Sequence, residues 1–203
     1  MQKGYRHRYS LWEVLIVFSQ SMRAFPIMAA SRLKHRIDPH FQERLMLAVT
    51  EVNGCEVCSY AHTQVALKQG MDSAEIASFL QGDGEMIKET EAKAIIFAQH
   101  YADSNGRPEH YAYDVLLEEY GKKKTKAILA TIQIMMMGNV FGLPMSAFFS
   151  RLKKQPYHNS NIFYELVLLI APMYLFPFAL LTALCLWPIV PGNIIFAKES
   201  GGV

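Results

Sequence analysis

Residues 166–187, "LVLLIAPMYLFPFALLTALCLW", run for 22 positions without a charged side chain. Such a run must leave water, and as a helix it is long enough to cross a hydrocarbon core of about 30 Å. Pro172 and Pro177 would kink it, which membrane helices tolerate better than soluble ones. Tyr164 and Trp187 suit the two interfaces, whereas Tyr174 falls rather deep for that role. Arg151, Lys153 and Lys154 precede the run and only Lys198 follows it, so the positive-inside rule puts residues 1–160 in the cytoplasm and the C-terminus outside. The expectation is a transmembrane helix over 166–187. The competing reading is a proline-broken apolar tail buried in an oligomer interface or against the rest of the chain. Composition shifts abruptly near Pro156, dividing the chain into a domain over 1–155 and an apolar tail over 156–203.

Upstream of that shift the hydrophobic period is helical. In "PHFQERLMLAVTEV" (39–52), Phe41, Leu45, Ala48, Val49 and Val52 form one stripe. Asn53-Gly54 ends that segment, and a second helix runs from about Cys55 to Gln69, stopping at Gly70. "DSAEIASFLQG" (72–82) has an Asp N-cap and ends on Gly; further helices cover 89–106, 109–121 and 123–142. No strand-like alternation bounded by hairpin turns occurs, so the expected class is all-α. The N-terminal stretch joins a basic start to an apolar run, but Glu13 interrupts the run and Arg23 soon follows. An amphipathic helix is expected there in preference to a cleaved signal peptide.

The net charge of +2 hides a strong partition. Residues 1–40 carry +5, residues 41–120 carry −9, and residues 121–160 carry seven Lys/Arg and no acid. The acidic centre argues against nucleic-acid binding. Basic segments around an acidic globule fit an anionic membrane surface better.

Three cysteines do not make a disulfide framework. Cys55 and Cys58 form a local C-x-x-C, and Cys185 sits alone in the apolar run. On an uninterrupted helix Cys55, Cys58 and His62 fall within roughly 60° of one another, so one face presents two sulfurs and an imidazole. A helix beginning near Cys55 directs unpaired N–H groups and the positive end of its dipole at the thiols, favouring thiolate. His62, one turn beyond Cys58, can relay a proton. Three other readings compete: buried inert cysteines, a zinc site needing His100 or His110 as a further ligand, and a thioredoxin-like fold needing strands that the sequence lacks. The redox dithiol is preferred. On spacing alone Glu51, four residues before Cys55, looks like the natural base.

"ERLMLAVTEVNGCEVCSYAHTQVALKQG" resembles the alkylhydroperoxidase D-like, or carboxymuconolactone decarboxylase, family, whose pattern is Glu, eleven residues, then C-x-x-C-x-x-x-H. Glu43, Cys55, Cys58 and His62 match it position for position, and the resemblance extends over about 20–150. It implies an all-helical domain forming trimers or hexamers, and peroxide reduction by a thiol pair without a cofactor. It also implies electrons from a dithiol donor such as a lipoyl or thioredoxin-like protein. By resemblance Cys58 is the peroxidatic thiolate, Cys55 resolves its sulfenic acid, and Glu43 with His62 relays the proton. Efficient peroxidases of the family carry a second His directly before the second Cys, where this chain has Val57; weaker proton delivery follows from that.

The resulting expectation is a cysteine-dependent peroxidase or disulfide reductase tethered to the cell membrane by its C-terminal segment, with a soluble cytoplasmic enzyme as the alternative. Its partners would be a hydroperoxide or disulfide substrate, a dithiol donor, the membrane and further copies of itself. A non-catalytic membrane redox sensor or scaffold is the second functional class. A carboxymuconolactone-type decarboxylase comes third, because that reaction does not need the cysteine pair.

Overall fold

The computed structural model describes residues 3–82, 85–186 and 193–198. Every element among them is helical: α1 (Leu11–Leu33), α2 (Pro39–Asn53), α3 (Glu56–Lys68), α4 (Ser73–Gln81), α5 (Glu89–Asp103), α6 (His110–Leu152) and α7 (Ile162–Leu186). The all-α class expected from the hydrophobic period is present.

Local chemistry explains most of the helix starts. Ser10 caps α1 in a reciprocal pair with Glu13, each side chain accepting from the other residue's backbone N–H. Asp38 accepts from the N–H groups of His40 and Phe41 with Pro39 at the first helical position, and Asp72 accepts from Ala74. Gly54 and Gly82 close α2 and α4 with φ of 68° and 71°, the left-handed conformation that glycine adopts without a Cβ penalty.

α6 is the seam of the fold. It packs against α1 and α7 on one flank and against α2, α3 and α5 on the other, while α2 gathers α3, α4 and α5 around itself. Residues 41–50 of α2 are buried without interruption. Each fully buried Leu or Ile there, such as Leu45 and Leu47, contributes roughly 1.5–3 kcal/mol of transfer free energy. Arg44 lies inside this core, donating to both carboxylate oxygens of Glu91 at 2.6 and 2.8 Å and to Glu75 at 2.8 Å. That pairing offsets the cost of burying its charge.

One sequence expectation holds and another changes. The helices read over 109–121 and 123–142 meet within α6 at Gly121, whose φ of 66° and ψ of 161° are not helical, so a break separates them as expected. The second helix, however, continues through Gly142 and Pro144 to Leu152. Gly142 keeps helical geometry, so it does not act as the stop signal its identity suggested.

α7 is unbroken at Pro172 and Pro177. One side packs on α1 and α6, burying Glu165, Leu168, Ala171, Ala179 and Ala183. Beyond it, Asn193 donates to the Gln20 carbonyl and to Gln133 Oε1, both at 2.7 Å, and the Ala197 N–H donates to the Pro108 carbonyl. Among the described residues three helices, α1, α6 and α7, are long and apolar enough to cross a membrane. Tyr164 donates to the Tyr9 carbonyl under the guanidinium of Arg8, and Tyr174 is exposed. Trp187, expected at an interface, lies outside the described residues.

Candidate active site

The chain reverses sharply between α2 and α3. The Gly54 N–H reaches back to the Thr50 and Glu51 carbonyls, so Asn53-Gly54 ends α2 as its composition predicts. Cys55 then becomes the N-cap of α3, and its Sγ accepts from the Cys58 N–H at 3.3 Å. This is the position that Ser, Thr, Asp or Asn usually fills, so one otherwise unpaired N–H group of α3 is met here by a sulfur. Cys55 and Cys58 are joined by a disulfide, their Cα atoms 5.2 Å apart.

The disulfide is closed in against α6. Cys55 is fully buried and Cys58 is 6% exposed. A Cβ built on Gly142 would stand 2.5 Å from Cys55 Sγ and nearer still to Cys58 Sγ, so the missing side chain is the space the sulfurs occupy. Cys58 Sγ also lies 3.6 Å from the Gly138 carbonyl oxygen. Ser146, one turn beyond Gly142, donates to the Gly142 carbonyl at 2.8 Å and accepts from the Val57 N–H at 3.1 Å, fastening the first turn of α3 to α6. Beside this clasp opens a cleft of about 340 Å³ whose walls include Val57, Tyr60, Ser146, Phe149 and Lys153.

Glu43 comes from the early part of α2 and His62 from the middle of α3. The reversal at Gly54 brings them together, with His62 Nδ1 and Glu43 Oε2 2.8 Å apart. Glu43 is 3% exposed and His62 half-buried. An ionised Glu43 only accepts, so Nδ1 carries the proton in this pair and Nε2 is left as the ring atom able to take one up. Glu51, the base suggested by spacing alone, lies elsewhere: its carboxylate is 3.6 Å from Arg6 and lies against Gly82.

The remaining candidates stand apart. His100 is 3.3 Å from the Glu109 carboxylate, His110 stacks on Phe196, and Cys185 is exposed on α7. Among the described residues no group of three or more His, Cys, Asp or Glu is arranged to hold a metal ion. Sequence reading missed Gly138, Gly142, Ser146 and the cleft. The G-x-x-x-G at 138–142, beside three consecutive methionines, was the available signal.

The model of the Carboxymuconolactone decarboxylase family matches residues 20–98, a span that contains Glu43, Cys55, Cys58 and His62. Over this segment the chain is similar to that family. Searches of curated proteins and of solved structures each return no match.

Proposed function

We propose that this chain is a member of the carboxymuconolactone decarboxylase family and a thiol oxidoreductase that reduces hydroperoxides, with Cys55 and Cys58 as its redox pair. The observation that carries the reading is the dithiol at the N-terminus of α3, one turn before a histidine bonded to a buried glutamate. Decarboxylation needs no such pair, so the intact C-x-x-C favours redox chemistry.

In the oxidative half-reaction His62 Nε2, with Glu43 holding Nδ1, takes the proton of Cys58. The thiolate attacks a peroxide oxygen: an S–O bond forms, the O–O bond breaks, and the alcohol leaves with a proton returned by His62. Cys55 then attacks Cys58 Sγ, forming the disulfide and expelling the sulfenic hydroxyl, which leaves as water after taking up a proton. A dithiol donor supplies two electrons and two protons to reopen the bond by exchange. The sum is hydroperoxide plus dithiol giving alcohol, water and disulfide. Val57 supplies no second imidazole, so His62 serves both proton transfers.

Assembly as a trimer or hexamer and attachment to a membrane through α7 are parts of this proposal. The burial of both sulfurs favours a second reading, a sensor whose disulfide reports oxidation to a partner without turnover. Peroxide-dependent oxidation of dihydrolipoamide, thioredoxin or glutathione separates the two. Wild type should turn over with at least one donor and Cys58→Ser should not; intact turnover in Cys58→Ser refutes the assignment.

A further inference from the structure

α7 is inverted relative to a helix that covers a soluble core. Its inward stripe consists mainly of small residues and one paired acid: Ala171, Ala179, Ala183 and Glu165. Its outward face presents Leu166, Ile170, Met173, Phe176, Phe178 and Leu181, with Met173 80% exposed. Small residues between helices and large apolar ones facing out is the arrangement of helices whose surroundings are hydrocarbon.

Both ends of this helix are nevertheless fastened to one domain. At its start Glu165 receives two bonds from Arg151 of α6, at 2.7 and 2.8 Å. Near its far end the hydroxyls of Thr182 and Ser19 are bonded. Past it, the Asn193 carboxamide is inserted beside Gln20 and Gln133, and Phe196 stacks on His110 at 3.6 Å. Asn193 returns to Gln133 of α6, about 27 Å along that helix from Arg151. α7 therefore lies lengthwise against α6, and it could cross a hydrocarbon core of about 30 Å only if that stretch of α6 crossed with it. The helices on the other flank exclude this: Asn53 of α2 meets Met136 and the Val57 N–H of α3 meets Ser146, so the exposed Lys3–Glu56 pair and Arg6 would be carried to hydrocarbon depth.

We infer that α7 lies in the plane of one membrane leaflet, its outer face among the acyl chains and its ends held on the same side as the dithiol domain. The occupant of that face is a lipid leaflet carrying anionic headgroups. From 166 to 185 the only polar side chains are Tyr174, Thr182 and Cys185, and Thr182 is bonded to Ser19. A protein partner would normally make about one hydrogen bond per 100–200 Å² of interface, which this face cannot supply. Exposed Lys153 and Lys154 in the turn before α7, with Arg8 over the Tyr164 ring, set cations at the edge of the apolar face, where they meet headgroup phosphates. The inference is independent of the redox chemistry.

The test uses the full chain with Cys185→Ser, carrying either Lys122→Cys or Lys198→Cys, in sealed membrane vesicles from cells that produce it. Oxidised Cys55 and Cys58 do not react with a membrane-impermeant maleimide. Both reporters should label from the same face, to the same extent, before detergent is added. Labelling of the two from opposite faces overturns the inference in favour of a span. In flotation with vesicles of 3:1 phosphatidylcholine and phosphatidylglycerol, the wild type should rise with the lipid. Leu166→Glu/Phe178→Glu should lower the bound fraction at least tenfold. Should that variant lose helical circular dichroism, Lys153→Glu/Lys154→Glu, confined to an exposed turn, should give a similar loss. A wild-type chain that stays with the lipid-free fractions, or forms a dimer that Leu166→Glu dissociates, overturns the inference.

Discussion

Replacing Gly142 with alanine probes the packing of the two sulfurs on α6. The added carbon would stand 2.5 Å from Cys55 Sγ and closer to Cys58 Sγ, where ordinary contact between heavy atoms begins near 3.5 Å. Relief requires α3 or α6 to retreat by about 1 Å, and no flexible chain end is available to give way. Overpacking of this kind costs about 1–3 kcal/mol, equivalent to roughly 2–12 °C in Tm for a chain of this length. The retreat also pulls at the bond from the Val57 N–H to Ser146 and at the N–H that caps Cys55 Sγ, so thiol turnover should fall together with Tm. Gly138→Ala is the internal control. Its Cβ would meet only Met135, at 3.7 Å, so the better helix propensity of alanine should leave Tm unchanged or slightly higher. Calorimetry on the oxidised and reduced forms of both variants makes the comparison. Equal Tm and equal turnover for Gly142→Ala and wild type would refute the packing of the sulfurs on α6.

Four further outcomes are expected. Glu43→Gln should lower peroxide turnover about 10²–10⁴-fold while Glu51→Gln leaves it near wild type, because only Glu43 is bonded to His62; a larger loss from Glu51 in steady-state assays overturns the relay. Glutathione added to the oxidised protein and quenched with acid should be found on Cys58 by peptide mapping, with Cys55 free to be alkylated; the reverse pattern contradicts the roles given to the two sulfurs. Arg44→Met should cost about 3–5 kcal/mol in denaturant unfolding, since it strands Glu91 and Glu75 without a cation in the core. Burial raises the Glu13 pKa, but bonds from Ser10 and the nearby His7 outweigh it and hold the carboxyl below its ordinary value. Its contribution to α1 is therefore complete above the unfolded value near pH 4.3 and disappears as pH falls through the lower folded value. In a Trp187→Phe background, Trp12 fluorescence should report the start of α1 loosening only below about pH 4.3, and loosening already at pH 6 would contradict the cap.

Helix ends set by short-range chemistry were readable from the sequence, because each cap involves residues within four positions. Gly54, Asp72 and Gly82 all act where their identities suggest. Gly142 was not readable in the same way. In a string of letters a glycine after an apolar run signals a stop, and only the arrival of α3 reveals that its lack of a side chain makes room for two sulfurs. The partner of His62 was likewise beyond simple spacing: Glu51 is nearer along the chain, but the reversal at Asn53-Gly54 carries it towards Arg6 and turns Glu43 inward. For α7, hydropathy measured how apolar the run is, yet the inward stripe of alanines, on which the docking depends, adds little to that measure.

The two sulfurs are not equivalent, and the proposed cycle depends on the difference. Cys55 Sγ receives the Cys58 N–H at the positive end of α3, which stabilises negative charge on it. Cys58 Sγ lies instead beside the Gly138 carbonyl oxygen, which accepts from a thiol but repels a thiolate. The proposed cycle therefore makes Cys55 the leaving group and Cys58 the sulfur served by a base. Cys58 is also the one with residual exposure, and the one nearer in sequence to His62. A base is needed where the backbone opposes ionisation and is superfluous where the helix already supports it, which is why the proposed cycle pairs Glu43 and His62 with Cys58. Cys58 Sγ is then attacked both times a disulfide exchange occurs, first by Cys55 when the disulfide closes and later by the donor when it opens. Cys55 is correspondingly the nucleophile of the first exchange and the leaving group of the second, and the cap on α3 stabilises the same thiolate in both.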